Sequence, residues 1–266
     1  RSVGGGGDLN GDGLADLIVG ANSRDANGSD SGASYVVFGK TDGTTIELSN
    51  IENGTNGFVI NGANTDDNSG RSVSNAGDIN GDGFDDLIVG ATNDDPNNSQ
   101  SGASFVIFGK TDTSTIELSE IENGQGGFVI NGVAKEDYSG FSVSSAGDVN
   151  GDGFDDVIVG ALNDDPNGNS SGSSFVVFGK TSGTATELSD VEAGTGGFVI
   201  NGVTDYDRSG SSVSYAGDLN GDGLADLLIG ADQDDPNGSN SGASFVVYGK
   251  TSATSVELSN VEAGTG

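Results

Sequence analysis

Four copies of one nine-residue loop begin at Asp8, Asp78, Asp148 and Asp218, 70 residues apart each time, so the chain is a single unit written four times in unbroken register. That fixed period is the first constraint on what the chain can be. Oxygen-bearing side chains occupy the first, third, fifth and ninth loop positions. They are Asp8, Asn10, Asp12 and Asp16, then Asp78, Asn80, Asp82 and Asp86, then Asp148, Asn150, Asp152 and Asp156, and finally Asp218, Asn220, Asp222 and Asp226.

Three carboxylates and one amide oxygen converging on a few ångströms repel one another. At an effective dielectric of about 20, a carboxylate pair ~4 Å apart costs roughly 4 kcal/mol, so the spacing predicts a cation among them. Hard oxygen donors at alternating positions, completed by the seventh-position carbonyls of Leu14, Phe84, Phe154 and Leu224, suit calcium, which accepts roughly 6–8 oxygens in a flexible shell. Magnesium would keep more of its water. About one calcium ion per repeat is expected, with Gly13, Gly83, Gly153 and Gly223 turning the chain back on it. An EF-hand is excluded, because its twelfth-position Glu is replaced here by Val19, Val89, Val159 and Ile229. The apolar runs after each loop, Leu17-Ile-Val-Gly-Ala in the first copy, read as buried strands rather than helices.

Glycine at 48 positions and only 6% aromatic residues could suggest disorder, but the glycines recur at fixed repeat positions between β-branched runs. Many short strands joined by tight turns follow, and almost no helix, because no window keeps helical apolar spacing over three turns. A formal net charge of −32 with nine basic residues argues against nucleic acid and anionic membrane as partners. Four calcium ions would leave about −24, which suits a calcium-rich extracellular setting. No run of apolar residues is long enough to insert in a membrane. A start at Arg1 rather than Met points to a processed product or, in preference, a segment of something longer.

Aligned, the copies give four strands per unit. They are typified by Ser72-Val-Ser-Asn-Ala-Gly, Leu87-Ile-Val-Gly, Ala103-Ser-Phe-Val-Ile-Phe-Gly and Gly57-Phe-Val-Ile-Asn-Gly. Divided at the last of these, the repeats run 1–56, 57–126, 127–196 and 197–266, the first without a preceding outer strand and the last without a following one. The Asp94-Asp-Pro-Asn turns, repeated at Asp164 and Asp234, read as solvated turns in preference to a second cation site. Asp66, Asp67, Asp137, Asp205 and Asp207 read as charged surface turns, and the Leu of Glu117-Leu-Ser and its counterparts as a core plug.

The run from Val143 through the Asp148 loop to Val157-Ile-Val-Gly-Ala161, followed by Gly172-Ser-Ser-Phe-Val-Val-Phe-Gly179, resembles the FG-GAP repeat of integrin α-subunit β-propellers and their bacterial relatives. The resemblance covers essentially the whole chain. It departs at the Pro of Gly-Ala-Pro, where Asn22, Thr92, Leu162 and Asp232 stand, and at the opening Phe-Gly, replaced by Gly70-Arg, Gly140-Phe and Gly210-Ser. It implies an all-β fold, a β-propeller of four-stranded antiparallel blades with calcium in the loop between first and second strands. Four copies fall short of the family's usual seven, so an open or incomplete ring is expected. The implied role is a calcium-binding extracellular or cell-surface structural and adhesion module. Its partners would be other protein chains, among them copies of itself pairing through the open terminal strand edge into a filament. The alternatives are a calcium-dependent glycan-binding module or the non-catalytic part of a secreted hydrolase. Catalysis is not expected, since there is no His or Cys and the four units stay alike.

Overall fold

The computed structural model describes residues 2–264; Arg1, Thr265 and Gly266, which open and close the first and last sequence units, lie outside the described residues. The first stretch forms β1 (Ser2–Gly7), β2 (Asp16–Ala21), β3 (Ala33–Val37), a one-turn helix α1 (Leu48–Glu52) and β4 (Gly57–Asn61). Next come β5 (Ser72–Gly77), β6 (Asp86–Ala91), β7 (Ala103–Ile107), the two-residue β8 (Ile116–Glu117), α2 (Leu118–Glu122) and β9 (Gly127–Asn131). The third round is β10 (Ser142–Gly147), β11 (Asp156–Ala161), β12 (Ser173–Val177), β13 (Thr186–Glu187), α3 (Leu188–Glu192) and β14 (Gly197–Asn201). The last is β15 (Ser209–Gly217), β16 (Asp226–Ala231), β17 (Ala243–Val247), β18 (Val256–Glu257) and α4 (Leu258–Glu262).

These strands make four sheets. Sheet 1 has the order β1-β2-β3-β4-β8, sheet 2 β5-β6-β7-β9-β13, sheet 3 β10-β11-β12-β14-β18, and sheet 4 β15-β16-β17. The first four strands of sheets 1 to 3 are antiparallel, as the repeat predicts. The fifth is a short parallel strand lent by the following unit, with Ile60 opposite Ile116 and Asn61 opposite Glu117 in sheet 1. The Glu117 carboxylate clasps this join, accepting from Asn61 Nδ2 at 2.8 Å and Asn27 Nδ2 at 2.7 Å. Glu187 and Glu257 do the same for Asn131 and Asn97 and for Asn201 and Asn167. Cut at 57, 127 and 197, each sequence unit therefore hands its opening strand to the sheet before it.

Each sheet packs its face on the next, so the hydrophobic core is divided into inter-sheet layers. Ile18, Val36 and Phe58 of sheet 1 meet Leu87, Phe105 and Val129 of sheet 2. Identical sequence then has different burial according to its place. Asp-Leu-Ile-Val-Gly-Ala is buried at every residue in β6, between two sheets, but alternates in β2, which has a neighbour on one side only. This corrects the expectation of a buried strand at Leu17, which is 56% exposed. The Leu plugs follow the same logic: Leu118, Leu188 and Leu258 are buried, whereas Leu48 is exposed, with no earlier sheet among the described residues to receive it. The little helix expected is confined to four single turns. Each Leu plug opens a five-residue helix, and in α2 and α3 its Leu and Ile or Val pin the turn to the core, a length too short to show helical periodicity.

Candidate metal centres

The predicted loops are the connections between the first and second strands of each sheet. At the end of β1 the register shifts between Gly5 and Gly7, with Gly7 opposite Asp16, a bulge that turns the chain out of the ladder and into the loop. Gly11 and Gly13 then take φ of +75° and +85°, and Gly81 and Gly83 take +75° and +92°, which L side chains rarely adopt. Gly11 has a second task, since a Cβ there would run into the ring of Phe84 from the next sheet.

Within the loop the oxygens are gathered by three successive amides. Asp12 N donates to Asp8 Oδ1 at 3.0 Å and Asn10 Oδ1 at 2.9 Å, Gly13 N to Asp8 Oδ2 at 2.9 Å, and Leu14 N to Asp12 Oδ1 at 2.9 Å. The same four bonds recur in the loops of Asp78, Asp148 and Asp218. Turn propensity alone allows many loop conformations, whereas all four loops share these four bonds, and the last three add one from Gly81, Gly151 and Gly221 N to the first Asp.

The ninth-position Asp does a job that spacing alone did not reveal. Asp16 is buried, its Oδ2 accepting from Leu9 N at 3.0 Å and its Oδ1 from Gly39 N at 2.8 Å. It therefore ties the loop's start to the end of the third strand. Asp86, Asp156 and Asp226 repeat both bonds. Burial pushes the carboxyls of Asp86 and Asp156 up to about 7 and about 8 against these amides, with Asp82 and Asp78, and Asp152 and Asp148, adding like charge.

Among the described residues, no three or more His, Cys, Asp or Glu side chains come together as a group able to hold a metal ion. The loop carboxylates are instead turned onto backbone amides. The donor chemistry still fits a hard cation: Asp8, Asn10 and Asp12 direct oxygens to one short amide run, each oxygen keeps a further lone pair, and no nitrogen or sulfur ligand intrudes.

A second acidic cluster lies where each sheet meets the next, and sequence reasoning underrated it. Asp67, Asp137 and Asp207 are buried rather than on the surface, because each accepts an amide three residues earlier, from Asn64, Ala134 and Thr204; Asp66 and Asp205 are exposed, as expected. Asp94 and Asp234 are buried too, so these turns are not simply solvated. Asp67, Asp94, Asp95 and Glu122 line one cavity of about 500 Å³, and burial, then Asp67 and Glu122, pushes Asp94 up to about 7. Glu122 escaped notice because its partners lie 28 and 55 residues upstream. A carboxyl raised in the folded state binds its proton more tightly there than in the unfolded chain, so its fold is destabilised as pH rises from about 4 to 7. In chelator, the unfolding temperature should therefore rise as pH falls from 8 to 5. Asp94→Asn, which keeps the acceptor for Asp95 N, should stabilise the chain by about 2 kcal/mol at pH 8 and by much less at pH 5. Thermal melts at the two pH values check this, and equal shifts at both would rule it out.

Compared with known families, the chain matches the FG-GAP repeat at residues 1–37, 69–107, 139–177 and 209–247, segments that each take in the loop and the three strands around it. Among individual proteins it is 29% identical to integrin alpha-5 of Xenopus laevis over 160 residues, 58% of this chain and 14% of that protein. It is 31% identical to integrin alpha-6 of Homo sapiens over 159 residues, 59% of this chain and 12% of that protein. It is 29% identical to integrin alpha-PS2 of Drosophila melanogaster over 187 residues, 67% of this chain and 12% of that protein. The chain thus spans only 12 to 14% of the length of these relatives.

Proposed function

The chain belongs to the FG-GAP repeat family, whose matches cover more than half of it, and on that premise we propose that it is a calcium-binding extracellular module mediating protein–protein contact or surface assembly. The observation that carries this is the fourfold recurrence of the loop with the same hydrogen bonds at the same 70-residue spacing. Asp8, Asn10, Asp12, the Leu14 carbonyl and Asp16 would hold the ion in the first loop, and the residues 70, 140 and 210 positions later in the others. Calcium would supply charge neutralisation and a rigid join between the first two strands of each sheet. No catalytic role is assigned, since the repeated Asp side chains share one structural task in every unit. The partners would be other protein chains, including copies of this one adding a strand to the outer edge of β17; among the described residues no strand pairs there.

Calorimetric titration tests the metal. Four calcium equivalents are expected, and Asp12→Ala, Asp82→Ala, Asp152→Ala and Asp222→Ala should each remove one. These side chains are exposed, so folding should persist. Fewer sites in the unaltered chain, or variants that keep four, would sink the assignment. Light scattering with calcium and with chelator then tests whether the ion governs assembly.

A further inference from the structure

The units repeat one another in strands and acidic loops, yet several of their differences gather in one place. Asn68, Tyr138 and Arg208 hold the same position in successive units, as do Arg71, Phe141 and Ser211, and Thr92, Leu162 and Asp232. The first two positions lie just before the first strand of a sheet and the third just after its second strand, at the end of those strands away from the acidic loops. Arg71, Tyr138, Phe141 and Arg208 come together on one cavity of about 300 Å³. Moved back one unit, the set would carry Tyr138 in place of Arg208; moved forward, it would carry Phe141 in place of Arg71 and Ser211 in place of Phe141. Strand packing alone gives no reason for such a departure from the repeat.

The charge of this cavity is opposite to that of the chain. Of the nine basic residues, Arg24, Lys40, Lys110 and Lys135 pair with carboxylates, and Lys180 and Lys250 lie over the rings of Phe128 and Phe198. Arg71 and Arg208, both half-buried, line the cavity, and no Asp or Glu lines it, although the chain has 41 acidic residues. The Arg71 guanidinium stands 4.4 Å from the centroid of the Phe141 ring, a contact that holds it in place. Tyr138 and Arg208 take φ of +54° and +55°, a left-handed backbone that costs a bulky residue energy. Asn68, at +57°, is the residue type that such a turn favours, so the turn by itself does not call for Tyr or Arg. Two guanidiniums on one cavity repel each other, and an anion between them offsets that repulsion.

The rest of the wall narrows the class of anion. Thr92, Asn93 and Asn163 bring a hydroxyl and two amides, which donate to and accept from hydroxyl groups, and Leu162 adds an apolar surface. We propose that this cavity binds an acidic sugar, the carboxylate of one uronate residue lying between Arg71 and Arg208, its hydroxyls on Asn93 and Asn163 and its apolar edge on Leu162. The planar guanidinium matches a carboxylate with two parallel hydrogen bonds. A glutamate side chain would meet the guanidiniums but has no hydroxyls for the amides. The chain's other charges do not forbid the contact, because charges more than about 8 Å away are largely screened at physiological ionic strength. The inference goes beyond the assembly reading above and uses none of the proposed calcium ligands.

The test is calorimetric titration of the full chain in millimolar calcium with the trisaccharide of galacturonic acid, and with its methyl ester, which keeps the sugar and removes the charge. The acid should bind and the ester at least about tenfold more weakly. Arg208→Gln should weaken binding of the acid by about tenfold or more, the loss expected for a charge-assisted hydrogen bond. Arg71→Gln should do the same and serves as the second variant should the first fail to fold. Lys135→Gln removes the same charge from a surface side chain that is 64% exposed and should bind like the parent. No binding of the trisaccharide, an ester that binds as well as the acid, or equal weakening by Lys135→Gln overturns the proposal. A glutamate trimer that binds as tightly also overturns it and gives the site to acidic peptides. Four calcium ions bound with no uronate removes this inference alone, whereas uronate bound without calcium removes only the metal reading.

Discussion

Millimolar calcium added to the chelated chain should raise its unfolding temperature by about 20 °C. A ligand at 100 times its dissociation constant stabilises a site by about 2.7 kcal/mol, so four sites contribute about 11 kcal/mol. A chain of this length has an unfolding entropy near 0.55 kcal/mol/K, and the quotient is about 20 °C. The shift is large because each loop assembles like charges that the folded chain must otherwise hold against burial, as at Asp86 and Asp156. Asp82→Ala should remove about a quarter of the calcium-induced shift, roughly 5 °C. Scanning calorimetry with chelator and with calcium measures both. An unfolding temperature indifferent to calcium would mean that the loops are turns and nothing more.

The second large effect is expected at Phe128, where truncation to Ala should cost about 3–5 kcal/mol. Its side chain is fully buried in the layer between sheets 2 and 3. The Phe108 ring meets it edge-on at 6.2 Å, and the Lys180 ammonium stands 4.1 Å from its centroid. Truncation thus empties an inter-sheet layer and strips a half-buried lysine of its aromatic partner. Tyr248→Ala should cost less than about 1 kcal/mol, because Tyr248 is exposed on a face of sheet 4 that no further sheet covers among the described residues. Urea unfolding of the two variants checks the contrast, and equal losses would contradict a core divided into inter-sheet layers.

Strand order and the positions of the loops were legible because both depend on local chemistry repeated four times: β-branched runs at fixed intervals, and Asp, Asn and Gly where the backbone must turn. Burial was not legible to the same degree. Leu17 and Leu87 occupy one position of one pattern, yet only Leu87 has a sheet on each side, a property of place in the stack that no window of sequence carries. Asp94 and Glu122 went unrecognised as partners for a related reason, since the contact between them crosses a sheet boundary. The ninth loop position was read only as a ligand, although its two amide bonds to Leu9 and Gly39 give it a structural duty with or without an ion. The one-turn helices were missed because five residues cannot display a period.

The strand that each unit lends to its predecessor also has a meaning in time. During synthesis, the outer edge of a sheet stays bare until residues 56 positions further on, Glu117 for Asn61, have emerged to cover it. A growing chain therefore carries the bare β4 edge while β5, β6 and β7 of the next sheet emerge, and β8 closes it only afterwards. Over evolutionary time the same clasp acts as a ruler. In sheets 1, 2 and 3 alike the Glu stands 56 residues after its Asn, Glu117 for Asn61, Glu187 for Asn131 and Glu257 for Asn201, so whole 70-residue units can be added or removed without changing that spacing.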